Sequence, residues 1–163
     1  MTQATYALSL SRAMWQRSLL EIARVRGALL PTTVAPMIFL LGTTGQFGKL
    51  ADLSGFPTTS YLAWILPLSC LQGAGFAGGA AGANLARDIE QGWFDRLLTS
   101  PAPRFLLLAG PVLAAMTRAA VPTTVILLTG LVLGSGLSGG VLGLLALYLA
   151  AVWFCMIASL WGS

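Results

Sequence analysis

The chain has 163 residues, of which 56% are hydrophobic and 9% charged, with a net charge of +4 and no histidine. A soluble domain carries about 25% charged residues, and too few are present here to cover a water-facing surface. The mean hydropathy of +0.82 agrees, and lipid replaces water around most of the chain. The basic residues flank apolar segments rather than forming a patch, which excludes a nucleic-acid footprint and fits the positive-inside bias. The two cysteines, Cys70 and Cys155, lie inside separate apolar runs with no metal-ligand spacing, so a zinc site is excluded as well.

The expected fold class is an all-α integral membrane protein: an N-terminal interfacial amphipathic helix followed by about four transmembrane helices, in one domain over residues 1–163. Residues 1–27 hold the interfacial helix. Its periodic part, LSLSRAMWQRSLLEIARVRG (8–27), places Leu8, Trp15, Leu19, Ile22 and Val25 on one side and Arg17, Glu21 and Arg24 on the other. That pattern suits a helix lying among headgroups; the competing reading is a helix packed on a soluble partner. No small-residue cleavage site follows an early apolar core, so no secretory signal is read here.

Span one covers 28–44 and holds Pro31 and Pro36, which predict a kinked start. A loop with Lys49 and Asp52 leads to span two, 61–83. The second half of span two, GAGFAGGAAGA, contains Gly75-x3-Gly79 and Gly78-x3-Gly82. Small residues at that spacing let membrane helices approach closely, although a small-residue face with no specific partner reads the same. Residues 84–104 form a cytoplasmic segment. Span three, 105–133, is longer than the hydrocarbon core requires, so it tilts or protrudes. A Gly-rich turn at 134–140 leads to span four, 141–163.

Orientation follows from Lys and Arg. Four Arg precede span one, one Lys precedes span two, three Arg lie in 84–104, and none lies in 134–140. This alternation predicts a cytoplasmic N-terminus and a cytoplasmic 84–104 segment in a multi-pass protein of the cell (inner or plasma) membrane.

Catalysis requires groups that move protons or attack substrates. All five acidic residues fall outside the predicted spans, so a proton relay through the membrane is not supplied. There is no GxxxxGK[ST] phosphate loop. The chain is therefore read as no enzyme. One charge remains inside a span, Arg118. Either it snorkels to the inner interface, or it lines a cavity or pairs with a carbonyl or another chain. Gln72 and the Thr pairs at 32–33 and 123–124 are weaker polar candidates, expected to bond locally to the helix backbone near the prolines.

The segment NLARDIEQGWFDRLLTSPAPR (84–104) collects three of the nine basic and three of the five acidic residues. A helix over 89–98 would align Ile89, Trp93 and Leu97, flanked by Phe94 and Leu98, with Gly92 as a bend and Ser100-Pro101-Ala102-Pro103 as the stop. Such an aromatic helix suits insertion into a groove on a partner. A loop resting its Trp among headgroups fits the same residues.

Several features together resemble the permease subunits of type-2 ABC exporters, particularly the daunorubicin (drug) resistance branch. They are Pro31 and Pro36, the Tyr61-Leu62 start of span two, the run from Asp88 through Glu90 and Gly92 to Asp95-Arg96-Leu97, and Pro101-Ala102-Pro103-Arg104. The resemblance implies a permease subunit, homodimeric or paired with a second permease, driven by a separate ABC ATPase. ATP and Mg would bind in that partner; this chain would hold no cofactor. It implies that Asp88, Glu90, Gly92, Trp93, Asp95, Arg96, Leu97, Pro101 and Arg104 dock the ATPase as a coupling helix. Export of a hydrophobic or amphipathic substrate by alternating access would follow. Two departures stand out: Gly110-Pro111 replaces a Gly-Arg pair frequent in relatives, and four spans replace about six. The second, with the apolar ending WFCMIASLWGS, leads us to expect a C-terminally truncated chain. The alternative function is a truncated scaffold that binds the ATPase without a complete pathway.

Overall fold

The computed structural model describes residues 26–58, 60–92, 104–136 and 139–161, together with Gln16 and Leu20; at 26–29, 88 and 104–115 the description is of the backbone. Four helices carry the described chain: α1 (Arg26–Phe47), α2 (Tyr61–Glu90), α3 (Arg104–Val132) and α4 (Gly140–Trp161). A 3-10 turn, Gly48–Asp52, follows α1. Of the predicted interfacial helix, Gln16 and Leu20 are helical and exposed; the rest of that stretch lies outside the described residues.

The helix α2 is the hub. It packs against all three others, most extensively against α4, while α1 reaches α2 and α3. Consecutive helices run antiparallel, as the core residues show. Leu40 of α1 meets Tyr61, Leu62, Ile65, Leu66 and Cys70 of α2 and Ile126 and Leu127 of α3, with Leu144, Leu147 and Tyr148 of α4 packed alongside. A second, small-residue layer joins Ala74, Ala119, Ala151 and Cys155.

The glycines explain why α2 and α4 lie so close. A Cβ at Gly75 would stand 2.7 Å from the Phe154 ring, and one at Gly78 would run into the Cys155 carbonyl oxygen and lie 2.9 Å from Ala158 Cβ. At Gly79 a Cβ would meet nothing within 4 Å. The close contact thus uses Gly75 and Gly78, one from each of the two pairs that the four-residue spacing suggested, while Gly79 makes none. The small-residue face has a specific partner, and that partner is α4.

The remainder of α4 faces outward. Leu142 is 81% exposed, Trp153 69%, Leu160 75% and Trp161 90%. A soluble helix with a mean window hydropathy of 2.4 would be buried, yet only 11% of that window is covered by protein. Lipid is the environment that suits it. By length and composition, two described helices can cross a membrane, Tyr61–Arg87 and Gly140–Trp161, and the described side-chain portion of α3, Met116–Val132, is shorter. Four aromatic rings gather where α1 leads into α2: Phe47–Tyr61, Phe56–Tyr61, Phe56–Trp64 and Tyr61–Trp64 have centroids 5.8–6.2 Å apart. Tyr and Trp favour the headgroup level, so the rings mark one membrane face.

Helix ends follow from glycine chemistry. After α3, Gly134 at φ +89° turns the chain. Gly134 N–H donates to the Leu131 carbonyl and Ser135 N–H to the Gly130 carbonyl, the paired bonds of a Schellman cap. Both prolines of α1 lie within the helix, so neither ends it.

Candidate functional site

The predicted docking segment begins inside a helix. Residues 84–90, expected to open a connecting segment, continue α2 to Glu90. Asn84, Arg87 and Glu90 are exposed on this extension. Polar residues set where a helix leaves lipid, but they do not stop it. The stop comes at Gly92, which has φ +67° and donates its N–H to the Ile89 carbonyl at 2.9 Å. This left-handed conformation is cheap only for glycine.

Ile89 lies in the last turns of α2, and Gly92, the expected bend, is left-handed. Asp88 and Glu90 sit on the last turn of α2, and Arg104 is the first residue of α3. Trp93, Asp95, Arg96, Leu97 and Pro101 lie outside the described residues. The segment is thus framed by two long helices, and Gly92 sets where it leaves the first.

Arg118 is the central residue of the 29-residue α3, about 21 Å from either helix end at 1.5 Å per residue. Its side chain is half-buried and takes part in interactions within the fold. A charge within a membrane span costs about 2.5–3.5 kcal/mol or more when it has no partners, and contacts within the fold offset that cost for Arg118.

The threonines behave as expected, bonding to their own helix: Thr123 Oγ1 donates to the Ala119 carbonyl at 2.8 Å and Thr124 Oγ1 to the Ala120 carbonyl at 2.6 Å. Thr124 also shares a 2.7 Å hydrogen bond with the Tyr148 hydroxyl, a tie between α3 and α4 that sequence reading missed. A Thr and a Tyr 24 positions apart give no local signal. Gln72 departs from expectation. Its Oε1 is buried with no hydrogen-bond partner, because an acceptor oxygen cannot bond to carbonyls and the helical N–H groups are already used. Among the described residues no group of three His, Cys, Asp or Glu comes together.

The described chain is thus a bundle of apolar helices with Arg118 at the middle of α3, and a polar segment of sequence joins its second and third helices. No curated protein and no solved structure matches the chain. The family model for the ABC-2 type transporter matches residues 9–163, nearly the whole sequence. Members of this family form the transmembrane component, which generally pairs with a separate ABC ATPase. The chain therefore belongs to the ABC-2 type transporter family, as an all-α, membrane-embedded permease component.

Proposed function

We propose that the chain is the permease subunit of an ATP-driven exporter of hydrophobic or amphipathic substrates, akin to the drug-resistance branch. It works by alternating access beside a second copy of itself and a separate ATPase that holds ATP and Mg. It sits in the cell membrane with its N-terminus cytoplasmic. The family match carries this reading. The extension of α2 beyond its apolar core to a glycine stop at Gly92 supports the docking role of the segment that follows. A rigid 30-residue helix ending at the ATPase would carry a push from the segment into the bundle centre. Trp93 and Leu97 supply apolar anchors, and Asp88, Glu90, Asp95, Arg96 and Arg104 supply the polar rim. Replacing both Trp93 and Leu97 by Asp is expected to abolish co-purification of the ATPase while membrane insertion persists. Undiminished co-purification would sink the docking assignment.

A further inference from the structure

Three helices bring polar groups to one depth in an otherwise apolar bundle. A Cβ at Gly73 of α2 would lie 3.2 Å from both the Thr32 carbonyl oxygen of α1 and the Pro122 Cβ of α3, so the three helices meet there. Gln72, next in the chain, carries the buried oxygen without a partner. Arg118 precedes Pro122 by four residues, about 6 Å along the helix, and lies within electrostatic reach of Cys155 on α4. Pro36 of α1 and Pro122 of α3 are fully buried.

The zone lies deep. Gln72 is about 17 Å from the Tyr61 end of α2, and Arg118 about 21 Å from either end of α3. The only acids on the four helices are Asp88 and Glu90, in the last turn of α2, so the charge at the bundle's centre is positive. Next to the zone, α2 presents an open apolar face. Phe76, one turn beyond Gln72, is 46% exposed, and nothing would touch a Cβ at Gly79.

We propose that this zone binds the polar head of an anionic amphiphile. Arg118 grips the acidic oxygens, Gln72 Oε1 accepts a hydroxyl or amide hydrogen from the same head, and the tail lies along Phe76 and Gly79. A guanidinium has five N–H donors, so Arg118 keeps its contacts within the fold while it binds. The substrate class rests on the exporter reading, whereas the binding itself does not. A bilayer lipid and an exported compound share this chemistry, and the test separates them.

The test uses the full chain in nanodiscs, with native mass spectrometry counting bound phosphatidylglycerol (anionic, with hydroxyls) against phosphatidylcholine (zwitterionic, without a donor). We expect wild type to prefer phosphatidylglycerol by about tenfold or more, the worth of a charge-assisted bond. Arg118→Gln should abolish the preference, Arg118→Lys should keep most of it, and Gln72→Leu should reduce it severalfold. The control Arg24→Gln, in the stretch expected to lie at the interface, should leave it within about twofold. Equal binding of both lipids by wild type overturns the proposal without any variant. So does an unchanged preference in Arg118→Gln, or an equal loss in Arg24→Gln. Labelled phosphatidylglycerol is then followed across proteoliposomes with the ATPase present. ATP-driven movement identifies exported cargo. Binding without movement supports the site as one for a resident lipid and counts against the exporter reading instead.

Discussion

The α2–α4 seam allows a quantitative test at Gly78. A Cβ there would run into the Cys155 carbonyl oxygen and lie 3.0 Å from the Cys155 carbonyl carbon. These are backbone atoms of a helix, which cannot rotate aside as a side-chain tip can, so α2 and α4 must separate to admit a methyl group. Such overpacking typically costs 1–3 kcal/mol, partly offset by up to about 1 kcal/mol of helix propensity gained from Gly→Ala. The net expectation for Gly78→Ala is a loss of about 1–2 kcal/mol. At 2–4 °C per kcal/mol for a chain of this size, the midpoint falls by several degrees. Gly79→Ala is the internal control, because nothing lies within 4 Å of its Cβ and the propensity gain stands alone. Cys155 is buried at this seam and Cys70 against α3, so in a Cys70→Ala background heating in detergent with a thiol-reactive dye reports opening of the seam. Equal midpoints for the two variants, or a lower one for Gly79→Ala, would refute the packing argument.

Other outcomes follow from single contacts. Tyr148→Phe removes the α3–α4 hydrogen bond to Thr124 and should lower stability by about 0.6 kcal/mol, the average for such bonds in membranes, read by the same thiol assay. Gly92→Val places a β-branched residue at φ +67°, a strain of about 1–3 kcal/mol. It should weaken ATPase co-purification severalfold without lowering the amount of chain in the membrane. With Cys70 and Cys155 replaced by Ala, Ser100→Cys should label only from the cytoplasmic side and Ser54→Cys only from outside; the reverse pattern would invert the orientation.

Much of the helical layout was readable because apolar runs and glycine turns coincide. The helix α3 occupies Arg104–Val132, beside the expected 105–133, since Gly134 closes it and no polar residue confuses its end. The helix α2 runs on past the expected span because polarity and helix termination part company there. Asn84, Arg87, Asp88 and Glu90 are unfavourable in lipid yet acceptable in a helix, and the actual stop is the dihedral of Gly92. The glycine spacing named Gly75 and Gly78 among its four candidates, but not that these two would meet α4 together. Which two glycines face α4 depends on how the helices rotate about their axes, a tertiary property. The Thr124–Tyr148 bond and the stranded Gln72 oxygen were likewise invisible, because both depend on which helices become neighbours. Of the residues expected to dock the ATPase, Asp88, Glu90 and Arg104 lie at helix ends and Gly92 just past one, and Trp93 and Leu97 lie outside the described residues.

The central claim, ATP-driven transport through this permease, is tested most directly by reconstitution. Proteoliposomes would contain the chain and its cognate ATPase, loaded with a lipophilic fluorescent amphiphile. The account predicts ATP-dependent movement of the dye that needs both proteins and fails in Trp93→Asp/Leu97→Asp. Movement at the same rate without this chain, or none with both proteins present across a panel of anionic, neutral and cationic amphiphiles, would contradict it.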